Sequence, residues 1–130
     1  MKTLLSLILV AFGLLFTSTA SAANDPLKVA PNVYKLLFEN DRIRVMEVTF
    51  KPGEKIGEHS HPDHFVTVLE AGKLKIFKPD GSSQEIQLKQ KEVVWIPAET
   101  HWSENTGPSV VKLLVTELKD GGTHGAHAAH

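Results

Sequence analysis

Two histidines, His59 and His61, stand two residues apart in Gly53-Glu54-Lys55-Ile56-Gly57-Glu58-His59-Ser60-His61, directly after Pro52. In an extended strand, residues i and i+2 project from the same face, so both imidazoles can converge on one ion. Neutral imidazole is a good ligand for Zn, Fe, Ni and Cu. A third histidine, His101, follows in Pro97-Ala98-Glu99-Thr100-His101, with Asn105 beyond it. The chain has no cysteine, which excludes thiolate zinc sites and leaves histidine and carboxylate as the ligand types. No Ser-His-Asp arrangement, phosphate-binding loop or basic aromatic stripe is present.

The segments that must hold these residues read as strands. Val33 to Phe38 is a first apolar run. Residues 42–50 partly alternate, with Ile43 and Val45 opposing Arg42 and Arg44, as a half-buried strand does. Lys51-Pro52-Gly53 closes this run, Pro fixing φ and Gly free to take the positive φ of a type II turn. Phe65 to Glu70 is rich in β-branched and aromatic residues and ends at Ala71-Gly72. Lys73 to Lys78 sets Leu74 and Ile76 against lysines, and Pro79-Asp80-Gly81 marks a hairpin. Gln84 to Leu88, Val93 to Ile96, Trp102 to Asn105 and Val110 to Leu118 complete the series. Strands recurring every ~8–12 residues predict an all-β sandwich or barrel. Asn24 to Asn32, polar and carrying Pro26 and Pro31, predicts an extended arm.

A chain of 130 residues holds one domain with a single core. Met1-Lys2, the apolar run Leu4 to Phe16 and the small-residue stretch around Ala20-Ser21-Ala22 have the layout of a secretory signal peptide cut after Ala22. The alternative is a membrane anchor, but the apolar run falls short of the roughly 20 residues that a spanning helix needs. The expected organisation is therefore a signal peptide at 1–22, an arm at 23–32, a domain at 33–118 and a flexible Gly/Ala/His tail at 119–130. An exported protein, periplasmic or secreted, with no stable membrane anchor after cleavage follows from that reading. The three histidines of the tail, His124, His127 and His130, read as solvated rather than chelating, because ordering costs on the order of 1–2 kcal/mol per residue. Fourteen basic against 15 acidic residues give no electrostatic basis for binding nucleic acid or an anionic membrane.

Taken together, these residues resemble the two motifs of the cupin superfamily. The first reads Gly, five residues, His-X-His, three or four residues, Glu, six residues, Gly. Gly53, His59, His61 and Gly72 fall in register with it. The second reads Gly, five residues, Pro-X-Gly, two residues, His, three residues, Asn, and is matched by Pro97, His101 and Asn105 behind the apolar run Val94-Trp95-Ile96. The resemblance spans residues 33 to 118. Three places depart from it. Counting back from Gly72 puts Phe65 where the family has its glutamate ligand, with Val66 beside it. Lys91 and Glu99 replace the glycines of the second motif. The spacing from Pro97 to His101 is one residue shorter.

The resemblance implies a single-domain cupin, a double-stranded β-helix or jelly-roll barrel. It further implies that His59, His61 and His101 hold a divalent transition metal, Fe, Mn, Ni or Zn. Three histidines leave positions open for water or substrate, as catalytic metal sites do. His64 and Asp63, beside the place of the missing glutamate, are candidate further ligands. An unbroken strand would put His64 on the face opposite His59 and His61, leaving it a role on the surface or behind the ligands, whereas a break at Pro62 would reset that phase. Without a carboxylate ligand a dication keeps its full charge until an anion binds, so the expected partner is a small molecule, a carboxylic or keto acid bound directly on the metal. The alternative for the histidines is a barrel without metal, in which they serve as hydrogen-bonding residues. Trp95 and Trp102 are expected in the core or pocket wall, and Glu99 is expected to be solvated rather than a general base.

Two function classes follow: a metal-dependent enzyme, an oxygenase or isomerase-like, acting on small acids; and a non-catalytic extracytoplasmic protein that binds a metal or small ligand. Among cupins, the opening Asn24-Asp25-Pro26-Leu27-Lys28-Val29-Ala30-Pro31 and the core His59-Ser60-His61-Pro62-Asp63 are similar to the small single-domain type of β-alanine degradation. Family resemblance also implies a homodimer formed by strand exchange, for which the 24–32 arm is the available segment.

Overall fold

The computed structural model describes residues 24–119; the leader-like residues 1–22 and the histidine-containing tail lie outside the described residues. A short helix, α1 (Pro26–Val29), precedes nine strands: β1 (Tyr34–Glu39), β2 (Ile43–Phe50), β3 (Lys55–His61), β4 (His64–Glu70), β5 (Gly72–Phe77), β6 (Ser83–Leu88), β7 (Val93–Ile96), β8 (Glu99–Asn105) and β9 (Val111–Leu118). They form two antiparallel sheets, ordered β1-β2-β9-β4-β7 and β3-β8-β5-β6. This is the all-β jelly-roll barrel that the strand pattern predicts.

The core follows from alternation. Met46, Val48 and Phe50 of β2, Val66 and Val68 of β4, and Val111, Leu113 and Val115 of β9 face inward from the five-stranded sheet. Ile56, Leu74 and Leu88 meet them from the other. Each such side chain contributes about 1.5–3 kcal/mol on burial. Gly72 lets β5 pass close to β9, for a Cβ there would collide with the Val111 side chain.

The 24–32 segment is not the extended arm its composition predicts. Asp25 caps one helical turn, its Oδ1 accepting from Leu27 N at 3.0 Å, with Pro26 at the first helical position. Pro26 is buried, and Leu27, Val29 and Ala30 pack against the core. A cap followed by proline is a helix-start signal that an average over polar residues conceals.

Two bulges decide which side chains face inward. Between Ile56 and His59, β3 advances three residues while β8 advances two, from Ser103 to His101. Ile56 and His59 are therefore both buried although an unbroken strand would point them apart. Between Val68 and Glu70, β4 carries one residue more than β9, which offsets any count made back from Gly72.

The turns keep the backbone the motifs require. Gly53 has φ +76° and Gly81 φ +86°, and Lys91, at a place where the resemblance puts glycine, has φ +68°. Lys91 N donates to Val68 O at 2.9 Å, so the turn is kept with a side chain in the left-handed region. That conformation costs roughly 1–2 kcal/mol for a residue with a Cβ. Lys91→Gly is therefore expected to raise stability by up to about 1 kcal/mol, the gain being reduced by the greater freedom of glycine in the unfolded chain. A denaturation midpoint that falls in this variant would contradict the strain.

Candidate metal centre

The β3 bulge and the β3–β8 register assemble the site. His59 sits opposite His101 and His61 opposite Glu99, all projecting into the barrel. His61 ends β3 in one sheet and His64 begins β4 in the other. The two residues Pro62-Asp63 thus carry the chain between sheets and reset the inward phase. His64 accordingly does not point away, as unbroken alternation predicts. It is 1% exposed, with its ring centroid 4.6 Å from that of His61.

His59, His61 and His101 are buried and offer ring nitrogens that all lie within 4.8 Å of one another. The outward nitrogens are all tied. His59 Nδ1 donates to Gly57 O at 2.8 Å, His61 Nδ1 to Glu117 Oε1 at 2.7 Å, His101 Nδ1 to Glu99 Oε1 at 2.6 Å and His64 Nδ1 to Pro62 O at 2.8 Å. Carbonyl and carboxylate oxygens only accept, so these partners assign the proton to Nδ1 and leave a lone pair on each Nε2. The Nε2 atoms of His59 and His101 are 3.0 Å apart. Tyr34 Oη lies 3.2 Å from His59 Nε2 and 3.5 Å from His61 Nε2.

Two lone pairs facing each other at that distance repel unless a proton or a cation lies between them. Burial opposes a proton on the His59 side of that pair. Desolvation, then the neighbouring imidazoles, push His59 down to about 4 and His61 down to about 2. A borderline dication satisfies all three nitrogens at once. The residues present thus fit a metal on chemical grounds.

Two carboxylates stand behind the imidazoles. Glu99 is held below the usual carboxylate range by the hydrogen bond from His101, against burial, and so remains an acceptor. Burial pushes Glu117 up while Arg44 draws it down. Arg44 binds Glu117 Oε2 through Nε at 2.8 Å and Nη2 at 2.7 Å, and Asp25 Oδ2 through Nη1 at 2.8 Å. Asp25, Arg44, Glu117 and His61 form one continuous chain. The motifs do not indicate Tyr34, Arg44 or Glu117. The signal that could have found Glu117 is its place in β9, where it continues the inward phase of Val111, Leu113 and Val115.

The remaining sequence candidates separate clearly. Asp63 is exposed, its Oδ1 accepting from Ala98 N at 2.8 Å, and it stands outside the imidazole group. Phe65 alternates with the buried His64 and Val66, so the residue that the count from Gly72 puts at the glutamate place does not face inward, and the inward residue next to it is His64. Glu99 is engaged by His101 rather than solvated. Asn105 is buried and braces two loops, its Nδ2 donating to Phe50 O at 3.1 Å and Ser109 O at 2.8 Å. Trp95 is 54% exposed, and Trp102 stacks on Phe77 at 6.1 Å; neither lines the cavity beside the histidines, contrary to the expectation for core or pocket wall.

The buried imidazoles set a pH dependence for the metal-free protein. An unfolded-chain imidazole titrates near 6.5, and His59 in the fold near 4. Above 6.5 neither state is protonated there and the difference is silent. Between 6.5 and 4 only the unfolded chain takes the proton, so stability falls as pH falls, by up to about 1.4 kcal/mol per pH unit for each such histidine. Thermal unfolding of metal-free protein is expected to shift steeply downward across this range. A flat profile would show that these rings are not held neutral.

A family profile described as "Cupin domain" matches residues 46–117. A cupin domain from Bordetella pertussis Tohama I is 27% identical over 67% of this chain and 92% of its own, with a TM-score of 0.63. A cupin superfamily protein from Desulfitobacterium hafniense DCB-2 is 25% identical over 68% of this chain and 77% of its own, with a TM-score of 0.52. An RmlC-like cupin family protein with a double-stranded β-helix fold from Methanocaldococcus jannaschii is 12% identical over 68% of this chain and 81% of its own, at a TM-score of 0.56, a likeness of fold alone. No curated protein matches the chain. The profile covers more than half of the sequence and includes both histidine motifs: the chain belongs to the cupin family.

Proposed function

We propose that this cupin binds one divalent transition metal, Fe, Mn, Ni or Zn, through the Nε2 atoms of His59, His61 and His101, and takes a small acid at the open side of that centre. The observation that carries the proposal is the convergence of three buried Nε2 lone pairs while every Nδ1 is committed to an acceptor. A metal bound there supplies Lewis acidity toward an oxygen ligand. Glu117 and Glu99 orient His61 and His101 and raise their basicity, as carboxylates behind metal-bound histidines do. His64, lying against His61, is positioned beside this set, and Tyr34 offers the phenolic hydroxyl nearest to it. Burial pushes the Tyr34 phenol up, so it stays protonated and can donate to a bound ligand.

Chemistry on the acid, of oxygenase or isomerase type, is supported by the cavity that opens beside His61 and His101. The near-complete burial of all three rings equally suits a non-catalytic extracytoplasmic carrier of metal or small ligand. Oxygen uptake by the Fe(II)-loaded protein with a panel of small acids separates the two readings. Within the family, residues 24–31 and 59–63 favour the β-alanine-degradation type, a placement that leaves the substrate open because fold does not fix chemistry.

Elemental analysis of untagged protein lacking residues 123–130 is expected to find about one metal ion per chain, lost in His59→Ala; no metal in either protein would refute the site. Glu117→Gln is expected to retain that stoichiometry and to weaken the metal about 10–100-fold, measured by competition with a chromophoric chelator. Unchanged affinity would remove Glu117 from the centre.

A further inference from the structure

The cavity beside the histidines is chemically lopsided. It has a volume of about 100 Å³. Tyr34, His61, His64, Glu99 and His101 stand at one end, and Ser103 is the sole further polar residue in its lining. The rest of the wall is hydrocarbon, represented by Leu74, Ile76, Ile86, Val94, Ile96 and Leu113. Among the described residues, no lysine or arginine lines it. Ile86 on β6 and Val94 and Ile96 on β7 are half-buried. Strands β6 and β7 are the outer strands of the two sheets, so the apolar wall opens between two edges that are not bonded to each other.

With a dication on the histidines to offset the Glu99 carboxylate, a ligand with an acidic head can place that head at the histidine end. Its far end then meets aliphatic carbon. A second carboxylate there would lose its hydration with no cation or donor to replace it, and a polyol would leave its hydroxyls unpaired. An aliphatic tail gains instead by leaving water. An apolar cavity of ~150 Å³ accommodates benzene, so this one suits a tail on the order of four carbons.

The geometry points to a small monoanionic acid with an uncharged aliphatic tail as the ligand of this centre, with dicarboxylates and polyols excluded by the wall. This deepens the metal reading and rests on it for the head group; the tail chamber is independent of the metal.

The test uses two 2-oxo acids that share a head and differ in the tail: 4-methyl-2-oxopentanoate and 2-oxoglutarate. Calorimetric titration of the Zn(II)-loaded protein is expected to show the first binding at least tenfold more tightly than the second. In methyl-labelled protein, with and without zinc, the isobutyl methyls are expected to give intermolecular Overhauser effects to Ile76, Ile86 and Leu113. Equal affinity, or tighter 2-oxoglutarate, overturns the proposal, and so does the absence of those effects in both zinc-loaded and zinc-free protein. Protein that takes up no zinc yet shows the methyl contacts refutes the metal centre and upholds the chamber. Protein that takes up zinc but does not distinguish the acids upholds the centre and refutes the chamber.

Discussion

The site depends on one constraint: a buried imidazole must satisfy the nitrogen that does not serve the centre. Gly57 O, Glu117 and Glu99 each accept a hydrogen bond from an Nδ1, and those three hydrogen bonds aim the rings. A buried donor without its partner costs ~1–3 kcal/mol, so the acceptors fix orientation as firmly as packing does. No buried side-chain polar atom among the described residues lacks a partner. The convergence of the three rings is therefore imposed by the surrounding fold, and their arrangement does not depend on an ion to gather it.

The barrel supplies these acceptors by different routes. Gly57 contributes a backbone carbonyl from the β3 bulge, Glu99 reaches His101 from two positions earlier on the same strand, and Glu117 comes from the opposing sheet with Arg44 behind it. The Arg44–Glu117 pair is an ion pair set inside the fold, and such pairs stabilise only when every polar atom is engaged. Here Asp25 occupies the remaining side of the guanidinium, and His61 occupies the remaining carboxylate oxygen.

Much of this was legible in the chain. Alternation around Ile43–Val45 and Leu74–Ile76, and the turn residues Gly53 and Gly81, locate the strands closely, because period-2 burial and positive φ leave direct marks in sequence. The pair His59 and His61 was legible from spacing, and His101 from the resemblance to the second cupin motif. What sequence concealed was phase. A bulge inserts a residue without a fixed signature, so the β3 bulge that turns both Ile56 and His59 inward, and the β4 bulge that offsets the count to Phe65, could be found only from pairing. The facing of His64 turned on the same question of phase: alternation holds within a strand, and Pro62-Asp63, where the proline signals a break, ends one strand and starts another. Glu117, Arg44 and Tyr34 were concealed because their partners lie 19 to 73 residues away.

The position of Glu117 also orders events in time. It lies on β9, the last strand among the described residues, and β9 is inserted between β2 and β4 in the middle of its sheet. As the chain is synthesised from its amino end, β2 and β4 have no common neighbour until β9 arrives, so the five-stranded sheet stays divided. His59, His61 and His101 are all made earlier, yet His61 receives its acceptor only when the final strand closes the barrel. The finished basicity of the centre is thus a property of the completed chain, and a nascent fragment ending before residue 111 carries the three histidines without the charge that completes them.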